Sequence, residues 1–407
     1  MEGLKKVPFK DIYLGFYDGP HATPKESDNG AVFLGIKNVT EDGRLDLSDI
    51  RFIAENDLPK WTKRVTPKEG DIVFSYEATL HRYAIIPKGF RGCLGRRMAL
   101  VRTNPNIVDN RFVLYYMLSP LWRKEVERNI LTGATVDRIP LTNVPSFRFQ
   151  LPPLLTQRRI ASILSAYDDL IENNLRRIKL LEELAHRTYE EWFVRYRFPG
   201  HETAVFDAET GLPEGWERKS LTDVADFLNG FAFRPSDFED SGIPIIKIKE
   251  MKNGVGNDTP RNNGDRVSPK YLVQPGDVLF SWSGSLEVVL WPHAEGWLNQ
   301  HLFKVTPKRG INKAFVYLSL LKSLDEFNNL TTGSTMKHIK RKELDFVKVA
   351  VATPELMGEF EEMATPVQNE ILNLSKQVRM LKESRDILLP KLMSGELMLE
   401  GGANEHS

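Results

Sequence analysis

Leu154-Leu155-Thr156-Gln157-Arg158-Arg159-Ile160 opens, and Glu191-Trp192-Phe193-Val194-Arg195-Tyr196-Arg197-Phe198-Pro199 closes, the stretch whose reading decides the fold of this chain. Between them large or apolar residues recur at Leu164, Tyr167, Ile171, Ile178, Leu181, Ala185 and Trp192, with Asn174 and Thr188 filling the same series. The steps alternate three and four, which is a heptad seam, and one apolar stripe on so long a helix calls for a partner helix rather than a globular surface. Roughly 42 residues at about 1.5 Å each make a rod of about 60 Å. The chain contains a second such series at Phe360, Met363, Val367, Ile371, Leu374, Val378, Leu381, Leu388 and Leu392, interrupted by Arg385 and ending at Ser394-Gly395. Two unrelated core helices are the plain alternative, but chance does not set them at matching ends of two similar halves.

Those halves emerge from a search for internal repeats. Gly70-Asp71-Ile72-Val73-Phe74-Ser75 matches Gly276-Asp277-Val278-Leu279-Phe280-Ser281. Upstream, Asp11, Gly30 and Ile36-Lys37 answer Asp223, Gly242 and Ile248-Lys249; downstream, Thr132-Gly133-Ala134-Thr135 answers Thr332-Gly333-Ser334-Thr335, and Pro153 answers Pro354. The order is kept throughout, so the chain reads globule, long helix, globule, long helix.

In the first globule, residues 1 to 152, short β-branched and aromatic runs at 31 to 36, 71 to 75 and 97 to 102 read as strands between Gly, Pro, Asn and Asp punctuation. One helix is expected from 110 to about 128. The second globule, 212 to 352, repeats this with strands at 243 to 249 and 277 to 282 and a helix from 312 to about 328. The spacer helices are 153 to 198 and 353 to 397, the linker is 199 to 211, and 398 to 407 is expected to be a disordered tail. The fold class is mixed α+β: two similar α/β globules separated by a pair of long antiparallel coiled-coil helices.

With 407 residues there is room for two or three cores, and 55 basic against 55 acidic residues leave no net field to attract a polyanion. Any nucleic-acid affinity must therefore come from local patches. A lone cysteine, Cys93, excludes an internal disulfide and argues against a thiolate metal cluster. No signal peptide or membrane-length apolar run is apparent, so a cytoplasmic protein without membrane association is expected.

Catalytic signatures are lacking. A phosphate cradle needs G-x-x-x-x-G-K-[ST]; the nearest run, Gly30 to Lys37, fails at Ile36. No G-x-G-x-x-G follows a strand, and Asn104-Pro105 precedes Asn106 rather than the Pro and aromatic residue that amino-methyltransferases place against a flipped base. The eight histidines show no metal spacing, and His81 and His293 read as exposed loop residues.

Binding features are positive. From Lys60 to Arg102 ten Lys or Arg (60, 63, 64, 68, 82, 88, 91, 96, 97, 102) face three acids (69, 71, 77), with Trp61, Tyr76, Tyr83 and Phe90 interleaved. A local surplus of this size suits a phosphate backbone. In the second half, Lys337-His338-Ile339-Lys340-Arg341-Lys342 follows a small polar turn able to hold a phosphate. Either patch alone reads equally as a solvated basic face; recurrence at equivalent places favours DNA.

The chain resembles the specificity subunit of type I restriction-modification systems. Beside the repeat and the two helices, the residues that carry the likeness are Leu151-Pro152-Pro153-Leu154 leading into Gln157-Arg158-Arg159-Ile160, Leu170-Ile171-Glu172-Asn173-Asn174, Trp192 to Gly200, Leu212-Pro213-Glu214-Gly215-Trp216-Glu217, and Lys391-Leu392-Met393-Ser394-Gly395-Glu396-Leu397. The resemblance implies a non-catalytic subunit with two target-recognition domains, each reading half of an asymmetric site in double-stranded DNA. It implies two methyltransferase (M) subunits and motor-nuclease restriction (R) subunits as partners, with S-adenosylmethionine, ATP and Mg bound through those partners and none directly. Two departures stand out. Tyr76-Glu77-Ala78-Thr79 replaces Trp282-Ser283-Gly284-Ser285, so the halves should read different bases, and the first globule lacks the Leu-Pro-x-Gly-Trp opening.

Patch position and repeat equivalence select the candidate DNA-reading residues. In the first half they are Thr62, Lys63, Arg64, Tyr76, Thr79, His81, Arg82, Arg96, Arg97 and Thr135; in the second, Lys249, Trp282, Ser283, Ser285, Thr335, Lys337 and His338. Leu170, Leu175, Leu184, Tyr189 and Phe193 lie off the main seam and are expected to meet the methyltransferase subunits. Two other readings stay open: a metal-dependent nuclease built from scattered carboxylates, and a structural adaptor with two peptide-binding globules.

Overall fold

The computed structural model describes residues 5–131, 136–330 and 339–397. The chain divides into two compact units, one of residues up to Leu170 with those from Leu381 onward, the other Ile171–Met380. The tail expectation for 398 to 407 falls outside the described residues.

Each unit is built around a strand buried on both faces. In the first, Ile72–Ser75 lies antiparallel between Tyr83–Ile85 and Met98–Thr103, and Tyr13–Asp18 pairs with the far side of the latter. Because successive side chains alternate across a strand, Ile72 and Phe74 join a core with Phe112, Val113 and Tyr116, while Val73 joins Leu34, Leu94 and Leu100 on the other side. Covering both faces explains why this strand is a continuous apolar run and not an alternating one. The second unit repeats the order with Val278–Ser281, Glu287–Leu290, Leu302–Pro307 and Ala225–Asn229. Val278 and Phe280 pack with Phe315 and Phe327, and Leu279 with Ile246 and Leu298.

A smaller sheet backs each one: the parallel pair Ala31–Leu34 and Gly92–Leu94 with Arg51–Ile53, and the parallel pair Ile243–Ile246 and Gly296–Leu298 with Arg261–Asn262 and Leu272–Val273. Lys5–Pro8 pairs with Arg148–Leu151 as Glu217–Ser220 pairs with Lys348–Val351. Gly70 and Gly276, at φ 86° and 85°, occupy the left-handed region that only glycine enters cheaply. Their N–H groups donate to Ile86 O and Trp291 O. The expectation of two similar α/β globules with paired long helices holds.

The helices differ in detail from expectation. The single helix expected at 110 to 128 is two, Asn110–Leu118 and Pro120–Glu127, because Pro120 drives Ser119 into extended backbone at ψ 158°. Its counterpart is Lys313–Lys322 and Leu324–Leu330. The first long helix is α-helical over Leu154–Tyr189 and ends in a π turn, Glu190–Val194, where Arg195 N–H reaches back to Glu190 O at 2.9 Å. The stretch taken as a linker is folded: Asp207 N–H bonds Leu212 O, and Trp216 packs on Phe193, Tyr196 and Phe198.

The second long helix spans Pro354–Ser394. In the second unit the two helices run antiparallel, since Asn174 Nδ2 meets Gln377 Oε1 at 3.2 Å and Arg177 meets Glu370 at 2.7 Å. Asn174 is buried and Gln377 exposed, so the pair sits at the edge of the seam, where a slip would leave the buried Asn174 without this partner. In the first unit Ile160, Ala161 and Leu164 pack with Leu392 and Met393. Among the described residues no helix is long and apolar enough to cross a membrane.

Candidate nucleic-acid interface

Two hairpin loops in each unit are tied together by backbone bonds. In the first, Ser75 Oγ donates to Thr79 O, Tyr76 N–H to Arg97 O at 3.1 Å, and Ile139 N–H to Tyr76 O at 2.8 Å. In the second, Ser281 Oγ donates to Ser285 O, Trp282 N–H to His301 O at 3.4 Å, and Ile339 N–H to Trp282 O at 2.9 Å. The loops are thus structural equivalents, with Tyr76 at the place of Trp282, Thr79 of Ser285 and Arg97 of His301. Ala78 takes the left-handed conformation (φ 69°) that Gly284 takes (φ 73°), a strained choice for a residue with a Cβ.

The acidic partner of the first loop was not visible in the sequence. Strand pairing sets Asp18 opposite Ala99 and Asn229 opposite the equivalent Phe303, so Asp18 and Asn229 share one position. Asp18 Oδ2 lies 2.9 Å from His21 Nε2 and 3.2 Å from Arg64 Nη1, and Arg64 also donates to Gly19 O at 2.8 Å. Burial, reinforced by the charge of Asp18 and its hydrogen bond, pushes the Tyr76 hydroxyl up to about 12. In the second unit Trp282 Nε1 donates to Asn229 Oδ1 at 3.0 Å, and the indole lies 5.6 Å from the His301 ring.

The basic patch of the first half is smaller than its sequence count. Arg82 pairs with Glu41 at 2.7 Å, Arg97 with Glu77 at 2.8 Å, Arg102 with Asp71 at 2.8 Å, and Arg91 with Glu55. With Arg64 on Asp18, five of the ten cations have internal partners, three of them acids from outside the 60–102 window. Lys63, Lys68, Lys88 and Arg96 are exposed and form no ion pair among the described residues. A cleft of about 380 Å³ lined by Asp18, His21, Lys60, Trp61, Lys63 and Arg64 joins the loop region to this surface.

The candidate residues fall into distinct groups. Lys63, Arg64, Thr79 and Arg96 are exposed; Arg82 and Arg97 are half-buried in their ion pairs. Thr62 closes the turn Leu58–Trp61 by donating to Leu58 O at 2.9 Å. Tyr76 is a correction: it is buried, with the Asp18 charge near its hydroxyl, and it supports the loop rather than facing solvent. Ser283 is likewise buried. His81 and His293, expected as exposed, are half-buried, and burial lowers both, aided by Arg123 and Arg379 respectively. Lys249 is bound to Asp258, and Ser285 Oγ accepts from Lys252. Thr135, Thr335, Lys337 and His338 lie outside the described residues.

On the first long helix Leu170, Leu175 and Leu184 are 51%, 37% and 49% exposed, whereas Tyr189 and Phe193 are 3% exposed. The last two are corrections. Tyr189 donates or accepts a 2.9 Å hydrogen bond with Ser319 Oγ, and Phe193 stands edge-on to Phe315 and Phe360, so both belong to the core of the second unit. Leu180, Met380 and Ile387, which the seam analysis missed, are exposed at 58%, 54% and 60%. No group of three or more His, Cys, Asp or Glu positioned to hold a metal ion occurs among the described residues.

Comparison with known proteins places this geometry in a family. The model described as "Type I restriction modification DNA specificity domain" matches twice, over residues 20–183 and 213–374. The chain is 26% identical over 362 residues to the type I restriction enzyme MjaIX specificity subunit of Methanocaldococcus jannaschii, covering 86% of this chain and 82% of that one. It is 24% identical over 413 residues to the HindI specificity subunit of Haemophilus influenzae, covering 84% and 89%. The crystal structure of a type I restriction-modification S subunit from M. genitalium superposes with a TM-score of 0.57 at 13% identity, covering 96% of this chain and 97% of that one, which is a likeness of fold.

Proposed function

Because the chain belongs to the type I restriction-modification DNA specificity family, a family of non-catalytic specificity subunits, we propose that its two units each read one half of a bipartite, asymmetric site in double-stranded DNA. The observation that carries this reading is the pair of equivalent loop positions with different chemistry. One frame presents the carboxylate of Asp18 with Arg64 and His21 gathered around it, above the buried Tyr76; the same frame presents Trp282 on an amide, Asn229. Identical scaffolds with unlike donors and acceptors are what two different half-sites require, because base edges are told apart by hydrogen-bond pattern. Exposed Lys63 and Arg96 would set register on phosphates.

The long helices pass from one unit into the other, and their length would fix the unspecified spacer between half-sites. Their exposed leucines would carry two methyltransferase subunits, which bring S-adenosylmethionine, and through the assembled complex the restriction subunits, which bring ATP and Mg chemistry. The chain itself supplies the address. Co-expression with its methyltransferase followed by methylation-sensitive long-read sequencing tests this: one split, asymmetric motif is expected, and a continuous motif or no motif would overturn the reading.

A further inference from the structure

Arg385 interrupts the apolar series of the second long helix, and in the first unit the structure uses it. It is buried; its Nη1 donates to Asp168 Oδ1 at 2.7 Å, while the Tyr115 hydroxyl donates to Asp168 Oδ2 at 2.6 Å. The repeat identifies the corresponding residues of the second unit. Gln157 N–H and Met357 N–H close the same first turn on Pro153 O and Thr353 O, so Pro153 answers Thr353 and not Pro354 as the sequence had suggested, Asp168 corresponds to Gln368, and Arg385 to Ala185. Asp109 and Asn312 cap equivalent helices, accepting from Phe112 N–H and Phe315 N–H, so Tyr115 corresponds to Leu318. The second unit therefore lacks the cation, the anion and the hydroxyl together.

The second unit has there a cavity of about 550 Å³ whose lining includes Ala185, Leu318, Leu321 and Ile371, against one of about 400 Å³ in the first unit that Tyr115, Leu118 and Arg385 line. Gln368, also in the lining, is buried and its Nε2 has no hydrogen-bond partner among the described residues. At the rim stand Glu182, where the first unit has Lys382, and Glu183. Glu183 pairs with Lys179 at 3.9 Å, so Glu182 is the carboxylate that forms no ion pair among the described residues, and desolvation raises its carboxyl above the usual value. The lysine of the lining, Lys252, is committed to Glu287 at 3.3 Å and to Ser285 and does not neutralise that rim.

We propose that this cavity receives an arginine side chain from a partner chain, with its stem against Leu318, Leu321 and Ile371 and its guanidinium at Glu182. The chemistry on both sides agrees. An arginine stem is apolar and its head is a weakly hydrated planar cation suited to partly buried carboxylates, and the cavity is apolar within and acidic at its mouth. The first unit supplies a related case, since there the guanidinium of Arg385 stands in the wall of the corresponding cavity and pairs with a carboxylate, Asp168. Leu184, exposed beside Glu183, continues the same surface.

The inference rests on the reading that the long helices carry methyltransferase subunits, and one experiment separates the two. Binding of the full chain to its methyltransferase subunit is measured by calorimetry for wild type, Glu182→Gln and Ala185→Arg, with folding checked by circular dichroism. Failure of the wild type to bind would sink the partner reading itself. If the wild type binds, both variants should weaken the complex on the order of tenfold, the first by removing the counter-charge and the second by filling the site from within. In parallel, n-butylguanidinium should raise the melting temperature of the wild type and not of Glu182→Gln. Wild-type affinity in folded Glu182→Gln, or an equal melting shift in both proteins, overturns the arginine site and leaves the partner reading standing.

Discussion

Trp282 donates its indole N–H to Asn229 at 3.0 Å from the loop and strand positions that Tyr76 and Asp18 hold in the first unit. The two pairs share a scaffold and differ in what they present: a neutral amide under an indole, and a carboxylate that gathers a guanidinium and an imidazole beside a buried phenol. Asp18→Asn keeps the shape and removes the charge that orients Arg64 and His21. Affinity for the cognate site should fall by about 1–3 kcal/mol, the scale of one lost base-reading arrangement. Methylation mapping should show the first half-site relaxed and the second unchanged; a change in both halves would refute independent reading.

The ion-pair pattern separates cations that are available to DNA from those that are not. Lys63→Ala and Arg96→Ala should each lower the slope of log K against log salt by about 1, read by fluorescence anisotropy over a salt series. Arg91→Ala, whose guanidinium is already bound to Glu55, should leave the slope unchanged. Equal effects of all three would mean that the crowding of charge in the sequence matters more than its pairing.

Leucine and aromatic residues on the first long helix should respond in opposite ways. Leu175→Glu with Leu184→Glu should abolish co-purification with the methyltransferase while the melting curve of the isolated chain stays as it was, since both side chains face solvent. Phe193→Ala removes a ring held among Phe315, Phe360 and Trp216. It should cost about 3–5 kcal/mol of stability, measured by urea unfolding.

Asp168 and Arg385 form a partly buried pair with Tyr115 attached. Arg385→Met should destabilise the first unit by about 3–5 kcal/mol because a carboxylate is left without its cation. Adding Asp168→Asn should recover part of that loss. Additive effects in this double-mutant cycle would show that the pair is not coupled.

Features set by short-range periodicity were legible before the fold was known. The heptad steps from Leu164 onward, the Gly-Asp-apolar run at 70 to 75 and its copy at 276 to 281 each depend on neighbours within a turn or a strand. The break at Ser119-Pro120 was not read beforehand, because a proline does not by itself decide where a helix ends: Pro366 and Pro390 both lie within the helix Pro354–Ser394.

The sequence by itself determined the repeat, the two long helices and the mixed α/β character of each half. Only the tertiary structure decided which charges remain open, which aromatics are surface, and where a cavity lies. Coulombic pairing depends on distance in space, so Glu41, Glu55 and Asp18 can cancel Arg82, Arg91 and Arg64 from outside any sequence window. Phe193 and Tyr189 look like partner-facing residues on a helical wheel, yet the π turn and the core around Phe315 and Ser319 bury them. The meaning of Ala185 depends on Arg385, a residue 200 positions away that shares its place in the other half, and that comparison exists only once both halves have folded onto the same frame.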